Sequence, residues 1–271
     1  MSSLTFTLRK KPAQRIDLSP LVGDKLKGMP IDAIRKLVLR AGRRQIEVDE
    51  LFDVYGDPGE AFIIRNSCNK LDYIGREQKS GTVTVEGEAG AYLGMGMKGG
   101  TITVIGSAGI FAGCEMKGGF LEIKGNAGDF LGAALPGNKH GMRGGTVLVK
   151  GNVGQRAGDQ LRRGILLIEG NADDYCGCRM TAGTIAVMGD TGRYLGYAMK
   201  RGTLLLWKQP KVPPTFNDCG AHTLTFLSLF FASMKDFDSK FSDPISVFNR
   251  VRRYGGDMSS SGRGEILIKI G

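Results

Sequence analysis

The stretch Gly81-Thr-Val-Thr-Val85 begins a pattern that decides how this chain folds. Each occurrence is a glycine followed by a short apolar strand, and the starting residues are Gly81, Gly100, Gly119, Gly145, Gly164, Gly183 and Gly202. Successive starts lie 19 residues apart, except that 26 residues separate Gly119 from Gly145 and the extra ones fall around Leu135–Gly141. A fixed period of this length is the signature of a repeat protein.

Each repeat is too short and too rich in glycine for a pair of helices. Glycine accounts for 42 of the 271 residues, and inside a helix it is about 1 kcal/mol less favourable than alanine. The repeat fits three short strands and three corners, where glycine allows positive φ or close backbone approach. We therefore predict an all-β solenoid, a right-handed parallel β-helix of 19-residue coils, with a small N-terminal cap and a partly helical C-terminal extension.

The repeat also predicts the domain organisation. The expected parts are an N-terminal cap (1–44), a β-helix (45–208, with regular coils over 81–208 and an insertion at 135–141) and a C-terminal extension with a docking helix (209–271). Within these we expect a short helix near Pro30, degenerate coils at 45–56 and 59–75, helices at 221–235 and 245–254, and a final strand from Glu265.

The inward-facing side chains of the repeats predict the core. The second and fourth strand positions are apolar in every repeat, as in Val83 and Val85, and period-two alternation points them to one side. Two further ladders complete the core: Ala89, Ala108, Ala127, Val153, Ala172 and Thr191, and Met97, Met116, Met142, Leu161, Met180 and Met199.

Packing explains the residues that resemble catalytic motifs. Gly94-Met-Gly-Met-Lys-Gly99 fits a dinucleotide motif, but no helix follows it. Cys176 and Cys178 share repeat positions with core residues, and Asp173-Asp174 reads as an exposed pair. With only two histidines, His140 and His222, we predict no catalytic residues and no metal site.

Composition limits the compartment and the partners. The net charge of +10 is spread along the chain, which does not indicate a nucleic-acid-binding arm. The five cysteines contain no CxxC spacing, no run of 18 apolar residues occurs, and no secretion leader is recognisable. We expect a cytoplasmic protein that binds neither nucleic acid nor membrane.

Packing does not explain a ladder of cations at equivalent turns, which we call the cationic stripe. It comprises Lys98, Lys117, Arg143, Arg162 and Lys200 and is broken only by Thr181. Stacked at about 4.8 Å, these side chains match an extended polyanion. A solvated edge that discourages aggregation is the alternative.

A second ladder is apolar and faces outward. The third strand position changes from Thr84 and Thr103 to Leu148, Leu167 and Leu205 in the C-terminal half. An exposed apolar face of this kind needs cover, either from the helix at 221–235 or from another subunit. The predicted interface residues are Leu148, Leu167, Leu205, Trp207, Phe226 and Phe230.

The repeat motif, Gly-x-x-Gly-x-Tyr/Phe-Leu-Gly followed by Met-Lys-Gly-Gly, resembles the GXGXG domain at the C-terminus of glutamate synthase large subunits. Three segments outside the regular repeats extend the resemblance to the C subunit of formylmethanofuran dehydrogenase: Arg15–Ser19, Leu51–Gly56 and Arg253–Glu265. The long segment 211–253, with its Pro213–Gly220 stretch, is most similar to the bacterial formyltransferase/hydrolase version.

The resemblance implies a noncatalytic structural subunit in one-carbon metabolism. In the family, a formyltransferase/hydrolase complex converts formyl-tetrahydromethanopterin to formate through a methanofuran-type carrier during formaldehyde oxidation. The implied partners are a metal-dependent hydrolase subunit, a formyltransferase subunit and a further noncatalytic subunit. No cofactor is implied to be bound covalently or through a metal, and we hypothesise that the cationic stripe contacts the glutamate-rich tail of the carrier. The alternatives are the C subunit of a molybdenum or tungsten formylmethanofuran dehydrogenase and a glutamate synthase-like spacer.

Overall fold

Pairing between equivalent residues of successive repeats organises the structure, a computed structural model that describes residues 3–270. Val83 pairs with Ile102, and Ile102 pairs with Leu121, in parallel register. Across the insertion the register lengthens to pair Leu121 with Val147. Each repeat therefore lies directly beside the previous one, as in a solenoid-like fold.

The N-terminal part combines short strands and short helices. In chain order its elements are β1 (Ser3–Leu8), β2 (Ile16–Asp17), α1 (Gly23–Leu26), α2 (Ile31–Arg35), β3 (Val38–Ala41), β4 (Arg44–Glu47), α3 (Val48–Leu51), β5 (Phe52–Tyr55), β6 (Asp57–Ser67) and β7 (Leu71–Asp72). The helix expected near Pro30 is confirmed, because Pro30 precedes the first residue of α2.

Each regular repeat contributes one strand to the main ladder. These strands are β8 (Thr82–Gly87), β9 (Thr101–Ile105), β10 (Phe120–Ile123), β11 (Arg143–Val149), β12 (Arg163–Ile168), β13 (Thr184–Val187) and β14 (Arg201–Leu206). A second ladder of single bridges joins Ala89, Ala108, Ala127, Val153, Ala172 and Thr191 in turn. Each repeat is therefore paired with the next at two places, its strand and its single bridge.

The C-terminal part folds back on the repeats. It contains β15 (Asn217–Thr223), α4 (Phe226–Ala232), two 3₁₀ turns (Lys240–Ser242 and Pro244–Ser246), β16 (Arg250–Gly256) and β17 (Arg263–Lys269). β17 pairs in parallel with β14 and so extends the main ladder, whereas β16 and β15 add antiparallel.

The resulting architecture is mostly β, with few helices and one large, mostly parallel sheet. Within residues 3–270 the sheet has 13 strands in the order β15-β16-β17-β14-β13-β12-β11-β10-β9-β8-β6-β1-β5. β15 and β5 are its two edges, so this sheet does not close into a barrel. A 4-stranded sheet, β4-β3-β2-β7, lies in the N-terminal part.

The predicted core ladders are confirmed except at Thr191, which is half-buried and lies outside the apolar core. The inward strand residues of every repeat are buried, as are Met97, Met116, Met142, Leu161, Met180 and Met199. Together with residues of the N-terminal part they form one continuous apolar core.

Glycine is needed where the backbones of adjacent repeats meet. A Cβ atom on Gly106 would lie 2.3 Å from the carbonyl oxygen of Gly87, its counterpart in the preceding repeat. Gly145, the third residue of β11, has a φ of +84°, which residues other than glycine rarely adopt.

Three expectations about local structure differ from the fold. The helix expected at 221–235 is confined to α4, because residues up to Thr223 pair with β16. The helix expected at 245–254 is wrong: after the Pro244–Ser246 turn, β16 occupies this segment, and it fills the place between β15 and β17. Residues 45–56 do not form a coil, since α3 interrupts them and β5 pairs antiparallel with β1.

Replacing Gly106 with alanine tests the close stacking of repeats. The added Cβ would overlap the Gly87 carbonyl, so we expect Gly106→Ala to lower the free energy of unfolding by about 1–3 kcal/mol. Gly59→Ala is the matched control, because its Cβ would meet only the Ala61 nitrogen at 3.9 Å. Urea denaturation measures both, and an equal effect of the two substitutions would contradict the stacking.

Candidate functional site

Backbone hydrogen bonds hold the cationic stripe in line. The amide of each member donates to a carbonyl of the preceding repeat: Lys117 to Met97 at 2.7 Å, Arg162 to Met142 at 2.9 Å and Lys200 to Met180 at 2.8 Å. Thr181 makes the same bond, to Leu161 at 2.8 Å, so the stripe is interrupted in charge but not in backbone. The structure therefore brings the predicted residues together as a row.

Most charges of the stripe have no partner within the chain. All five side chains are exposed. Lys98 forms an ion pair with Glu77 at 3.3 Å. For Lys117, Arg143, Arg162 and Lys200, the part of the chain that the structure describes offers no carboxylate within 4.0 Å. The stripe thus presents free positive charge to whatever lies outside it.

A stack of aromatic rings follows another corner of the repeats, and the sequence interpretation missed it. The ring centroids of Tyr73, Tyr92, Phe111 and Phe130 are separated by 4.8, 5.3 and 4.6 Å in turn. Further along, Tyr175 and Tyr194 stack at 4.6 Å. The recurrence of aromatic residues every 19 positions is the signal that could have revealed this stack.

Arg156 takes the place of an aromatic residue in that stack and begins a charged cluster. Its guanidinium lies 4.8 Å from the Tyr175 ring centroid and 3.7 Å from Asp159. The Asp159 carboxylate is buried, and it also accepts from Arg179 Nε at 2.8 Å. Two arginines therefore lie against this buried carboxylate and offset its charge.

The outward apolar face is covered by the chain itself. Leu148, Leu167 and Leu205 are buried in a second core with Leu227, Phe231, Met234, Phe241, Phe248 and Val251 from the C-terminal part. Trp207 meets Phe231, Phe241 and Phe248 edge-on at centroid distances of 5.9, 5.2 and 5.0 Å. Of the predicted interface residues, Phe230 packs partly against this core, and Phe226 is 45% exposed.

Polar contacts also join the repeats to the part of the C-terminal segment that contains Asp238 and Ser239. Lys150 Nζ lies 2.6 Å from Asp238, and the Ser239 hydroxyl donates to Glu169 at 2.8 Å. Lys150 also lies 3.5 Å from Glu122 on the neighbouring strand. These contacts fix the segment laterally, while the apolar residues supply most of the burial.

The three repeat cysteines are held as thiols. Burial raises the pKa of Cys176 from 9.0 to about 12. Burial likewise raises the pKa of Cys114 and Cys178 to about 12, and the nearby Asp159 adds to the effect at Cys178. Because the thiolate is the nucleophile and metal ligand, these environments oppose both roles.

The remaining candidates are separate from one another or are paired locally. Asp174 accepts from Arg193 at 2.7 Å, and this hydrogen bond lowers the pKa of its carboxyl. His140 lies in the insertion, and His222 lies in β15 with its Nε2 2.9 Å from the Cys219 carbonyl. Within residues 3–270, no three His, Cys, Asp or Glu side chains are grouped so that they could hold a metal ion. None of the helices described there is long and apolar enough to span a membrane.

Comparison with known proteins finds similar chains in a formyltransferase/hydrolase complex and in formylmethanofuran dehydrogenases. Residues 70–219 match the family model described as the GXGXG motif. A chain in the X-ray crystal structure of the formyltransferase/hydrolase complex (FhcABCD) from Methylorubrum extorquens in complex with methylofuran is 34% identical, with a TM-score of 0.88 over 98% of this chain and 100% of that chain.

Two named relatives are similar over shorter alignments. The C subunit of the tungsten-containing formylmethanofuran dehydrogenase 2 of Methanococcus maripaludis is 32% identical over 94 residues, which is 34% of this chain and 35% of that protein. The C subunit of the formyltransferase/hydrolase complex Fhc of Methylorubrum extorquens is 36% identical over 86 residues, 32% of each. These alignments span about a third of the curated relatives' length.

The buried thiols predict a loss of stability in alkali. Their pKa is raised in the folded state, so the stabilising contribution is complete below pH 9.0 and is lost as the pH rises toward about 12. We expect Cys176→Ala to reduce the slope of unfolding free energy above pH 9 by about 1.4 kcal/mol per pH unit. Urea titrations at several pH values measure this slope. The exposed Cys219→Ala is the control, and equal slopes for the two variants would contradict the assignment.

Proposed function

The chain belongs to the GXGXG motif family, and from that premise we propose that it is a noncatalytic assembly subunit of a formyltransferase/hydrolase complex. The complex would convert formyl-tetrahydromethanopterin to formate through a methanofuran-type carrier. Its partners would be the hydrolase, the formyltransferase and a further noncatalytic subunit. The five cysteines, all free, suit a reducing cytoplasm as the compartment.

The observation that carries the proposal is the similarity over the whole length to a chain of the FhcABCD complex. The family model by itself stops at residue 219. The longer match includes the C-terminal part, which here covers the apolar face of the repeats.

The fate of the polar and nucleophilic candidates supports a noncatalytic role. The repeat thiols are buried, Asp159 is neutralised by two arginines, and Asp174 is bound to Arg193. What is left free is the cationic surface. We propose that the repeats wind as a right-handed β-helix between a cap and a C-terminal extension, and that this rigid body spaces the catalytic subunits.

The cationic stripe is proposed as a track for the acidic tail of the carrier. Lys117, Arg143, Arg162 and Lys200 lack carboxylate partners in the described part of the chain. Their backbone pairing keeps them in a row about 4.8 Å apart per repeat. A flexible polyanion would be held there by many weak, salt-sensitive contacts rather than by one pocket.

A second candidate is the C subunit of a formylmethanofuran dehydrogenase. It is favoured by the 32% identity to the tungsten-containing enzyme of Methanococcus maripaludis. The two candidates share an assembly role and differ in the catalytic chains that the subunit would join.

Affinity purification of the tagged chain from its native host tests the assembly role. We expect larger chains to co-purify, to include a formyltransferase and a hydrolase, and to release formate from the formylated carrier. The isolated chain is expected to show no turnover. Recovery of the chain alone would contradict the assembly role, and recovery of a molybdenum- or tungsten-containing chain would favour the dehydrogenase.

Charge reversal in the stripe tests the track. We expect Lys117→Glu/Arg143→Glu in the assembled complex to raise the KM for the carrier about tenfold or more at low salt, and the difference to shrink as salt is added. Lys11→Glu/Lys36→Glu changes the net charge equally at exposed positions outside the stripe and serves as the control. Unchanged carrier kinetics in the stripe variant, or equal effects in the control, would remove the track.

A further inference from the structure

The stack of aromatic rings along the repeats ends at Tyr194, and this last ring is open to solvent. Along the stack, the amide of a ring residue donates to a carbonyl of the following repeat, as that of Tyr175 does to Arg193 at 2.8 Å. Within residues 3–270 the Tyr194 amide has no such acceptor. Tyr194 is 48% exposed, whereas Tyr175, on which its ring stacks, is half-buried. The stack therefore has no next member at this end.

The C-terminal part covers the core at this end but leaves two tyrosines uncovered. Phe216 approaches Gly196 so closely that a Cβ atom there would lie 3.0 Å from the Phe216 ring. The next residue, Tyr197, is 54% exposed. Its ring stands at 88° to that of Tyr175, with 6.1 Å between the centroids. Tyr194 and Tyr197 thus contact the same ring, one face-on and one edge-on, and we call them the tyrosine pair.

Elsewhere in the stack, guanidinium groups lie over the rings at which a run of aromatic residues begins. Arg76 lies over the ring of Tyr73, the first of the stack, at 5.4 Å. Arg156 lies over the ring of Tyr175, the first after the break, at 4.8 Å. A cation over a ring face is attracted by the ring quadrupole. The chain therefore supplies a guanidinium cap of its own at both of these positions.

Tyr194 does not receive such a cap, because an ion pair holds the neighbouring arginine elsewhere. Arg193 donates to Asp174 from Nε at 3.0 Å and from Nη2 at 2.7 Å. Asp174 belongs to the preceding repeat, so the bond draws the guanidinium toward that side. Its central carbon lies 5.8 Å from the Tyr194 centroid. The outward face of Tyr194 is left for a group from outside the chain.

The polar groups around the tyrosine pair favour a cation with several donors. Asp173 is exposed, and the described part of the chain offers no Lys, Arg or His within 4.0 Å of its carboxylate. It lies against Gly192, two residues before Tyr194, since a Cβ atom on Gly192 would be 2.7 Å from the Asp173 carbonyl carbon. Neither hydroxyl of the pair is hydrogen-bonded within residues 3–270. Ring faces, free acceptors and an unpaired carboxylate together match a guanidinium.

We propose that the tyrosine pair binds an arginine side chain of another subunit. Its guanidinium stacks on the outward face of Tyr194, and Asp173 supplies the countercharge. Arginine fits this place because its planar group stacks on aromatic rings and is weakly hydrated, whereas the ammonium of lysine is a strongly hydrated point charge. Tyrosine and arginine are also enriched among the residues that dominate interface energies. The proposal rests on the assembly role and adds the chemistry of one contact to it.

Competition for partner chains in the native host tests the contact. The unsubstituted chain and a variant, carrying different tags, are produced together, and the partner chains captured by each are quantified. Tyr194→Leu keeps an apolar side chain on Tyr175 but removes the aromatic face, so we expect it to capture about fivefold less partner. Tyr194→Phe keeps the face and is expected to capture as much as the unsubstituted chain.

Tyr55→Leu is the matched control, because Tyr55 is 44% exposed and lies in β5, at the other end of the main sheet. Equal capture by Tyr194→Leu and the unsubstituted chain would overturn the contact, as would an equal loss in Tyr55→Leu. A loss in Tyr194→Phe as large as that in Tyr194→Leu would also overturn it, since the hydroxyl rather than the ring face would then be responsible.

Photo-crosslinking identifies the occupant. The chain carrying p-benzoylphenylalanine at position 194 is irradiated in the native complex, and the linked peptide is sequenced by mass spectrometry. We expect a peptide of another subunit with an arginine at or next to the linked residue. A link to a peptide without arginine, a link to a second copy of this chain, or no link would overturn the proposed ligand.

The outcome is separable from that of the proposed function. If the unsubstituted chain captures no partner, the assembly role is contradicted. If the unsubstituted chain captures its partners and Tyr194→Leu captures them equally, only the contact at the tyrosine pair is contradicted.

Discussion

Backbone hydrogen bonding between equivalent residues of successive repeats is the constraint on which the rest of the structure depends. When Val83 pairs with Ile102, the remaining residues of that strand are placed beside their counterparts in the next repeat. Side chains at equivalent positions of successive repeats therefore lie side by side in a row. Rows of Met and Val form the core, a row of aromatic rings stacks at one corner, and rows of Lys and Arg become extended charged surfaces. The charged and apolar side chains on the surface of this fold therefore form straight rows, which suit extended ligands better than compact ones.

The C-terminal part covers the apolar face of the repeats and completes the main sheet. Leu148, Leu167 and Leu205 would be an exposed apolar face without it, and Phe231, Phe241 and Phe248 bury them. The same segment adds β17 as the last parallel strand and β15 as a new edge. In doing so it brings Arg253 and Arg263 beside Arg201. The C-terminal part thus covers an apolar surface and adds arginines to a cationic one.

The sequence predicts the repeats well and the terminal segments poorly, and the reason is physical. Inside the repeats, glycine spacing and apolar alternation demand one register, so the buried Met and Val rows and the stripe follow from position alone. Outside them, Arg250–Gly256 becomes a strand because it pairs with β17. β17 is itself held by pairing with β14, which is distant in sequence, so local sequence patterns do not predict either strand pairing. The aromatic stack also escaped the prediction, because Tyr92 and Phe111 adopt positive φ, which sequence patterns for aromatic residues do not suggest.

A cryo-electron microscopy map of the natively purified complex with its carrier tests the central claim most directly. That claim is that the chain is a noncatalytic scaffold whose rows of charged side chains bind the carrier. We expect the chain to be one subunit among catalytic ones, with carrier density that follows Lys117, Arg143 and Arg162 and carboxylates within hydrogen-bonding distance of them. A map in which the carrier is bound elsewhere and the stripe faces bulk solvent would contradict this expectation.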